Sequence, residues 1–73
     1  MYNHDKLRGR IVEKYGSARA FANALGISNT ALSRKLNNNI GISREDITKW
    51  AGMLSIVPEE IGSYFFDLTV KRS

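Results

Sequence analysis

Asn29, Thr30, Ser33, Arg34 and Asn37 are separated by one, three, one and three positions, so on a helix they share one broad face. That face is short, polar and able to hydrogen-bond, with a single long side chain. Asparagine can bond adenine bidentately, arginine can take guanine O6 and N7, and Ser or Thr can bond either base or touch the thymine methyl group. The chemistry offered is recognition of base edges. A face that met only solvent would more often carry Glu, Lys or Gln, which are better helix formers than Ser, Thr or Asn.

The elements that must position this face can be read from punctuation and period. Ser28 caps a third helix over 29–38, with Leu32 and Leu36 pointing inward and the polar set pointing away. Before it, Ser17 caps a second helix, Ala18 to Leu25, that places Phe21 and Leu25 inward and leaves Ala18 and Ala22 on a flank almost without side chain. Gly26 stops that helix, and Ile27 fills the turn. Two helices crossing steeply through so short a turn need a small residue where they touch, which Ala22 supplies. Residues 17–38 thus form a helix-turn-helix candidate.

A first helix runs from Asp5 to Tyr15 with the stripe Leu7, Ile11, Tyr15, and Gly16 ends it as a left-handed residue. Asn37, Asn38 and Asn39 end the third helix, and Ile40, Gly41 and Ile42 form a loop. Ser43 and Asp46 make a capping box for a fourth helix with the stripe Ile47, Trp50, Ala51, Leu54. Trp50 and Met53 at this spacing read as core, not as the wall of a ligand pocket. Pro58 opens a short fifth helix through Tyr64, with Glu59 and Glu60 matched to its dipole. Residues 65–70 (FFDLTV) are β-prone and fit no helical pattern. The expectation is an all-α, five-helix domain over residues 1–64 with a tail over 65–73.

Enzyme chemistry finds few candidates. The 73 residues hold no cysteine and one histidine, His4, near the N-terminus and expected to be solvated. No metal spacing, phosphate loop or nucleophile with a rigid base occurs, and Glu59 and Glu60, being adjacent, diverge on a helix. No catalytic residue, metal site, cofactor or small-molecule substrate is expected. Without cysteine the fold rests on packing and suits a reducing cytoplasm. No apolar run nears the ~20 residues of a membrane helix and no secretory leader is evident, so a cytoplasmic protein without membrane contact is expected.

The eleven Lys and Arg exceed the seven Asp and Glu, and the excess is uneven. Residues 1–39 hold seven basic and two acidic side chains; residues 40–73 hold four and five. A polyanion would meet the first half. Arg19 and Lys35 flank the motif and are the expected phosphate contacts, with Ser17 beside them and Arg10 and Lys14 as weaker candidates.

The stretch AFANALGISNTALSRKLN, through Ala22, Leu25, Gly26, Ile27, Ser28, Leu32, Ser33 and Leu36, resembles the phage Cro and lambda-repressor-like helix-turn-helix proteins, also called the xenobiotic-response-element family. The segments DKLRGRIVEKYGS and VPEEIGSYFF resemble short regulators of temperate phages. The resemblance implies a lambda-repressor-like fold and a repressor on double-stranded operator DNA, with base contacts from Asn29, Thr30, Ser33, Arg34 and Asn37. It further implies phosphate clamps at Ser17, Ala18, Asn38 and Asn39. Relatives often carry an apolar residue where this chain has Lys35, and glutamine where it has Ala18. The apolar tail residues Tyr64, Phe65, Phe66, Leu68 and Val70 suggest a homodimer, which would double the site read on a pseudo-palindrome. The alternative is an antirepressor or modulator that uses the same scaffold to grip another phage regulator, a repressor protein.

Overall fold

A computed structural model describes residues 3–37 and 40–67. Its helices are α1 (Asp5–Tyr15), α2 (Ala18–Leu25), α3 (Asn29–Leu36), α4 (Arg44–Met53) and α5 (Ile61–Phe65), with a 3-10 turn at Pro58–Glu60 leading into α5. Among the described residues there is no strand. The expected all-α class and five helices are found.

Local chemistry sets most boundaries. The Ser17, Ser28 and Ser43 hydroxyls accept from the backbone N–H of Ala20, Ala31 and Asp46 at 3.0 to 3.1 Å. At Ser43 the box closes, since the Asp46 carboxylate accepts the Ser43 backbone N–H in return. Gly16 and Gly26 take positive φ values of 85° and 76°, which a side chain would disfavour.

Leu7, Ile11, Phe21, Leu32 and Leu54 are fully buried. A line of rings crosses this core: Tyr15 to Phe21 at 5.0 Å, Phe21 edge-on to Trp50 at 5.5 Å, and Trp50 to Phe65 at 6.2 Å between centroids. The rings join α1, α2, α4 and α5, each contact adding about 0.5 to 1.5 kcal/mol beyond its buried area. Trp50 is core as expected, and Met53 packs against it half-buried.

Four expectations are corrected. Phe65 is the last residue of α5 and 2% exposed, not the start of a β-prone tail, because its ring closes the stack on Trp50. The globular unit therefore reaches beyond residue 64. Pro58–Glu60 forms a 3-10 turn before α5 rather than its first α turn. α3 stops at Leu36, short of the expected 38, with Asn37 as its cap. In α2 the inward direction is rotated: Ala22 is buried and Leu25 only half so, since the close approach at Ala22 draws that side into the core.

His4, expected in solvent, is 3% exposed. As the N-cap residue of α1, its Nδ1 donates to the Leu36 carbonyl at the end of α3 over 3.1 Å. Nearby, the Asn3 backbone N–H donates to the Asp67 carbonyl, which ties the two ends of the described chain together.

Candidate functional site

The solvent side of α3 presents Asn29, Thr30, Ser33 and Arg34, all exposed. Their placement follows from the burial of Leu32 and Leu36, which fixes the rotation of an eight-residue helix whose start is set by the Ser28 cap. Asn37 is exposed as well, but its side chain is hydrogen-bonded on both sides. Its side-chain oxygen accepts a short hydrogen bond from Arg8 Nη2, and its amide donates to Ser33 Oγ at 3.3 Å. The same Arg8 nitrogen donates to the Leu36 carbonyl at 3.1 Å. Asn37, expected to face bases, is thus engaged within the fold, because α1 brings a guanidinium to the open carbonyls at the end of α3.

Of the expected phosphate contacts, Arg19 is exposed, as is Ser17, whose hydroxyl is spent on its cap. Lys35 differs. Its ammonium lies 2.5 Å from the Asp46 carboxylate, with side-chain exposures of 19% and 27%. Lys35, next to the buried Leu36, lies on the flank of α3 that meets the capping box of α4, so the cation expected on phosphate holds two helices together. Burial pushes the Asp46 carboxyl up, but the Lys35 ammonium and the Ser43 backbone and hydroxyl outweigh it and hold the group below its ordinary value.

Arg10 is likewise committed. Nε donates to the Leu54 carbonyl at 2.9 Å, Nη2 to that of Ser55 at 3.2 Å, and Nη1 meets Glu13 at 2.8 Å. These bonds grip the end of α4 where Ser55 takes a left-handed φ of 55°. Lys14, Arg19 and Arg34 form no ion pair among the described residues. Asn38 and Asn39, expected at phosphates, lie outside the described residues.

Tyr64 and Phe65 are 8% and 2% exposed within the single chain, and Lys6 sits 4.5 Å over the Tyr64 ring. Both were expected at a dimer interface, but the core consumes them; Phe66 remains 46% exposed. Leu68 and Val70 lie outside the described residues.

A feature that sequence spacing did not disclose borders α3. A groove of about 250 Å³ runs between α1, the start of α2 and α3. Ile11, Val12, Ala18 and Leu36 give it an apolar lining, and Arg8, Asn29 and Ser33 bring polar groups to it. Val12 was the available signal, a valine outside the Leu7, Ile11, Tyr15 stripe; it is 53% exposed. Among the described residues no group of three or more His, Asp or Glu could hold a metal ion. No helix there is long and apolar enough to cross a membrane.

Among solved structures, the chain is similar to the modulator of repression (MOR) of the temperate bacteriophage TP901-1 from Lactococcus lactis. The identity is 36% and the TM-score 0.80, over 96% of this chain and 95% of the other. No curated protein matches. Residues 1–68 match the family described as "Protein of unknown function (DUF739)". With that match spanning nearly the whole chain, the protein belongs to the DUF739 family.

Proposed function

We propose that this protein modulates phage repression by binding a repressor protein, without catalysis or cofactor. The observation that carries this reading is the likeness, at 36% identity over nearly the full length of both chains, to a protein described as a modulator of repression. The fate of the cations supports it. Lys35 and Arg10, which would have gripped a DNA backbone, are spent on Asp46 and on the carbonyls of Leu54 and Ser55. Asn37 is spent on Arg8. A reader of duplex DNA needs many phosphate contacts to reach high affinity, and this reduces the supply. The interacting surface in this reading is the exposed side of α3 with the adjoining groove.

A second reading is kept because the exposed row Asn29, Thr30, Ser33 and Arg34 retains base-reading chemistry. In it, α2 and α3 act as a helix-turn-helix on a pseudo-palindromic operator, and two chains pair through Phe66, Leu68 and Val70.

Both readings meet in one experiment, in which the purified chain is titrated into a repressor–operator complex from the same phage on a native gel. The expected result is a changed mobility of the repressor complex, or release of its DNA, with no shift of operator DNA by the chain alone. A chain that shifts operator DNA by itself and leaves the repressor untouched overturns the first reading in favour of the second.

A further inference from the structure

We propose that a second groove, between the loop over 40–42, α4 and the end of α5, is the seat of this chain's own C-terminal segment, with Leu68 and Val70 set into it as an extended strap. The inference goes beyond the repressor-binding reading and does not depend on it. The groove holds about 190 Å³, less than the roughly 300 to 1,000 Å³ of clefts that bury a small-molecule ligand, and suits aliphatic side chains. Two of the four large hydrophobic residues exposed among the described residues, Ile40 at 41% and Phe66 at 46%, meet there. A single exposed apolar residue is ordinary; these two share a concavity with Ile42, Ile47 and Phe65 and so form a patch.

Where the described chain ends identifies the occupant. Phe65 and Phe66 are walls of the groove, and His4 lines it from the other terminus. Between them the Asp67 carbonyl accepts the Asn3 backbone N–H at 2.6 Å. The chain is therefore held at the rim at Asp67, and Leu68 is the next residue. Residues 68–73 follow, with a reach of up to about 20 Å when extended, so a groove that begins at the two preceding residues lies well within it. So short a tether offers Leu68 and Val70 to the groove at an effective concentration in the millimolar range, on the order of that for other short linkers. A second copy or a separate partner matches this only at a comparable bulk concentration.

The order of residues supplies the conformation. Residues 65–70 (FFDLTV) are rich in β-formers, and in an extended chain positions 68 and 70 fall on one side while 69 falls on the other. A helix would separate Leu68 from Val70 by about 200° and leave one of them in water. Only the extended form brings both aliphatic side chains to the groove with Thr69 facing out, and Lys71, Arg72 and Ser73 then end the strap in solvent. Used in this way, Leu68 and Val70 are not available to pair two chains.

The test uses the full chain with isotope-labelled Ile, Leu and Val methyl groups and nuclear Overhauser contacts read by NMR. Contacts are expected from the Leu68 and Val70 methyls to those of Ile42 and Ile47. They are expected to be absent from a filtered spectrum of labelled mixed with unlabelled chain, which reads only contacts between chains. Leu68→Asp and Val70→Asp are expected to lower the urea midpoint and to raise the fluorescence of an anilinonaphthalene dye that binds exposed apolar surface, while Thr69→Asp leaves both at wild type.

Leu68 and Val70 methyls without contacts to the groove overturn the proposal. Contacts in the mixed sample overturn it as well, and assign the groove to a second copy. Midpoints that are unchanged by Leu68→Asp and Val70→Asp, or lowered alike by all three substitutions, remove the extended strap.

Discussion

The two flanks of α1 have been put to opposite uses. On one, Arg10 grips the end of α4 through the carbonyls of Leu54 and Ser55, and Lys6 lies over Tyr64 beneath α5. On the other, Val12 is open to solvent at the edge of a groove, and the nearby residues of α2 and α3 carry unpaired Arg19 and Arg34. Cations of one type, distributed over one half of the chain, serve as internal clamps in one place and as open surface in the other. A positive charge written in a sequence is therefore not a charge available to a ligand.

The sharpest contrast is between neighbours at the end of α5. Phe65→Ala removes a ring packed on Trp50 and is expected to cost about 3 to 5 kcal/mol in urea unfolding, enough to bring a domain of this size close to unfolding. Phe66→Ala, at a half-exposed position, is expected to cost below about 1 kcal/mol. Similar midpoints for the two variants would mean that the chain ends its core elsewhere.

The clamps and the open cations separate next. Arg10→Ala leaves the Leu54 and Ser55 carbonyls without their donor and is expected to lower stability by about 1 to 3 kcal/mol. Arg19→Ala is expected to stay within about 0.5 kcal/mol of wild type, showing its effect only when a partner is added. Equal losses from the two changes would erase the distinction drawn between the flanks.

The Lys35–Asp46 pair is a clamp whose contribution depends on pH. The Asp46 carboxyl is held below its ordinary value of 3.8, so its charge-dependent stabilisation is present above that pH and is lost as pH falls through the lower folded-state value. Asp46→Asn is expected to cost about 1 kcal/mol near neutrality, and its difference from wild type to shrink as the pH is lowered below 4 or so. A difference that stayed constant into acid would mean that the pair contributes through packing alone.

Much of the fold was legible because its signals are local. The hydroxyls of Ser17, Ser28 and Ser43 each bond a backbone N–H three residues on, and Gly16 and Gly26 terminate helices by their own φ. Such features need only neighbours in sequence. The stripes Leu7–Ile11 and Trp50–Ala51–Leu54 were equally readable, since a helix repeats every 3.6 residues and all five are buried. The polar outward row of α3 follows from the same period.

What escaped the sequence has a common cause in contacts between distant positions. His4 reaches Leu36 across 32 residues, Arg10 reaches Leu54 across 44, and Arg8 reaches Asn37 across 29. Phe65, the first residue of the β-prone run, became the last residue of α5 where its ring found Trp50, tertiary packing outweighing a preference of a few tenths of a kcal/mol or so. The groove beside Val12 belongs to no single segment, because three helices are needed to enclose it. By itself the sequence determined which residues form helices, where most of them start and stop, and which side of α1, α3 and α4 turns inward, since caps and period act within one or two turns. Only the tertiary structure decided which cations are spent inside the fold and which are left without an ion pair among the described residues, because a charge is neutralised by whatever the packing of the core brings within about 4 Å of it.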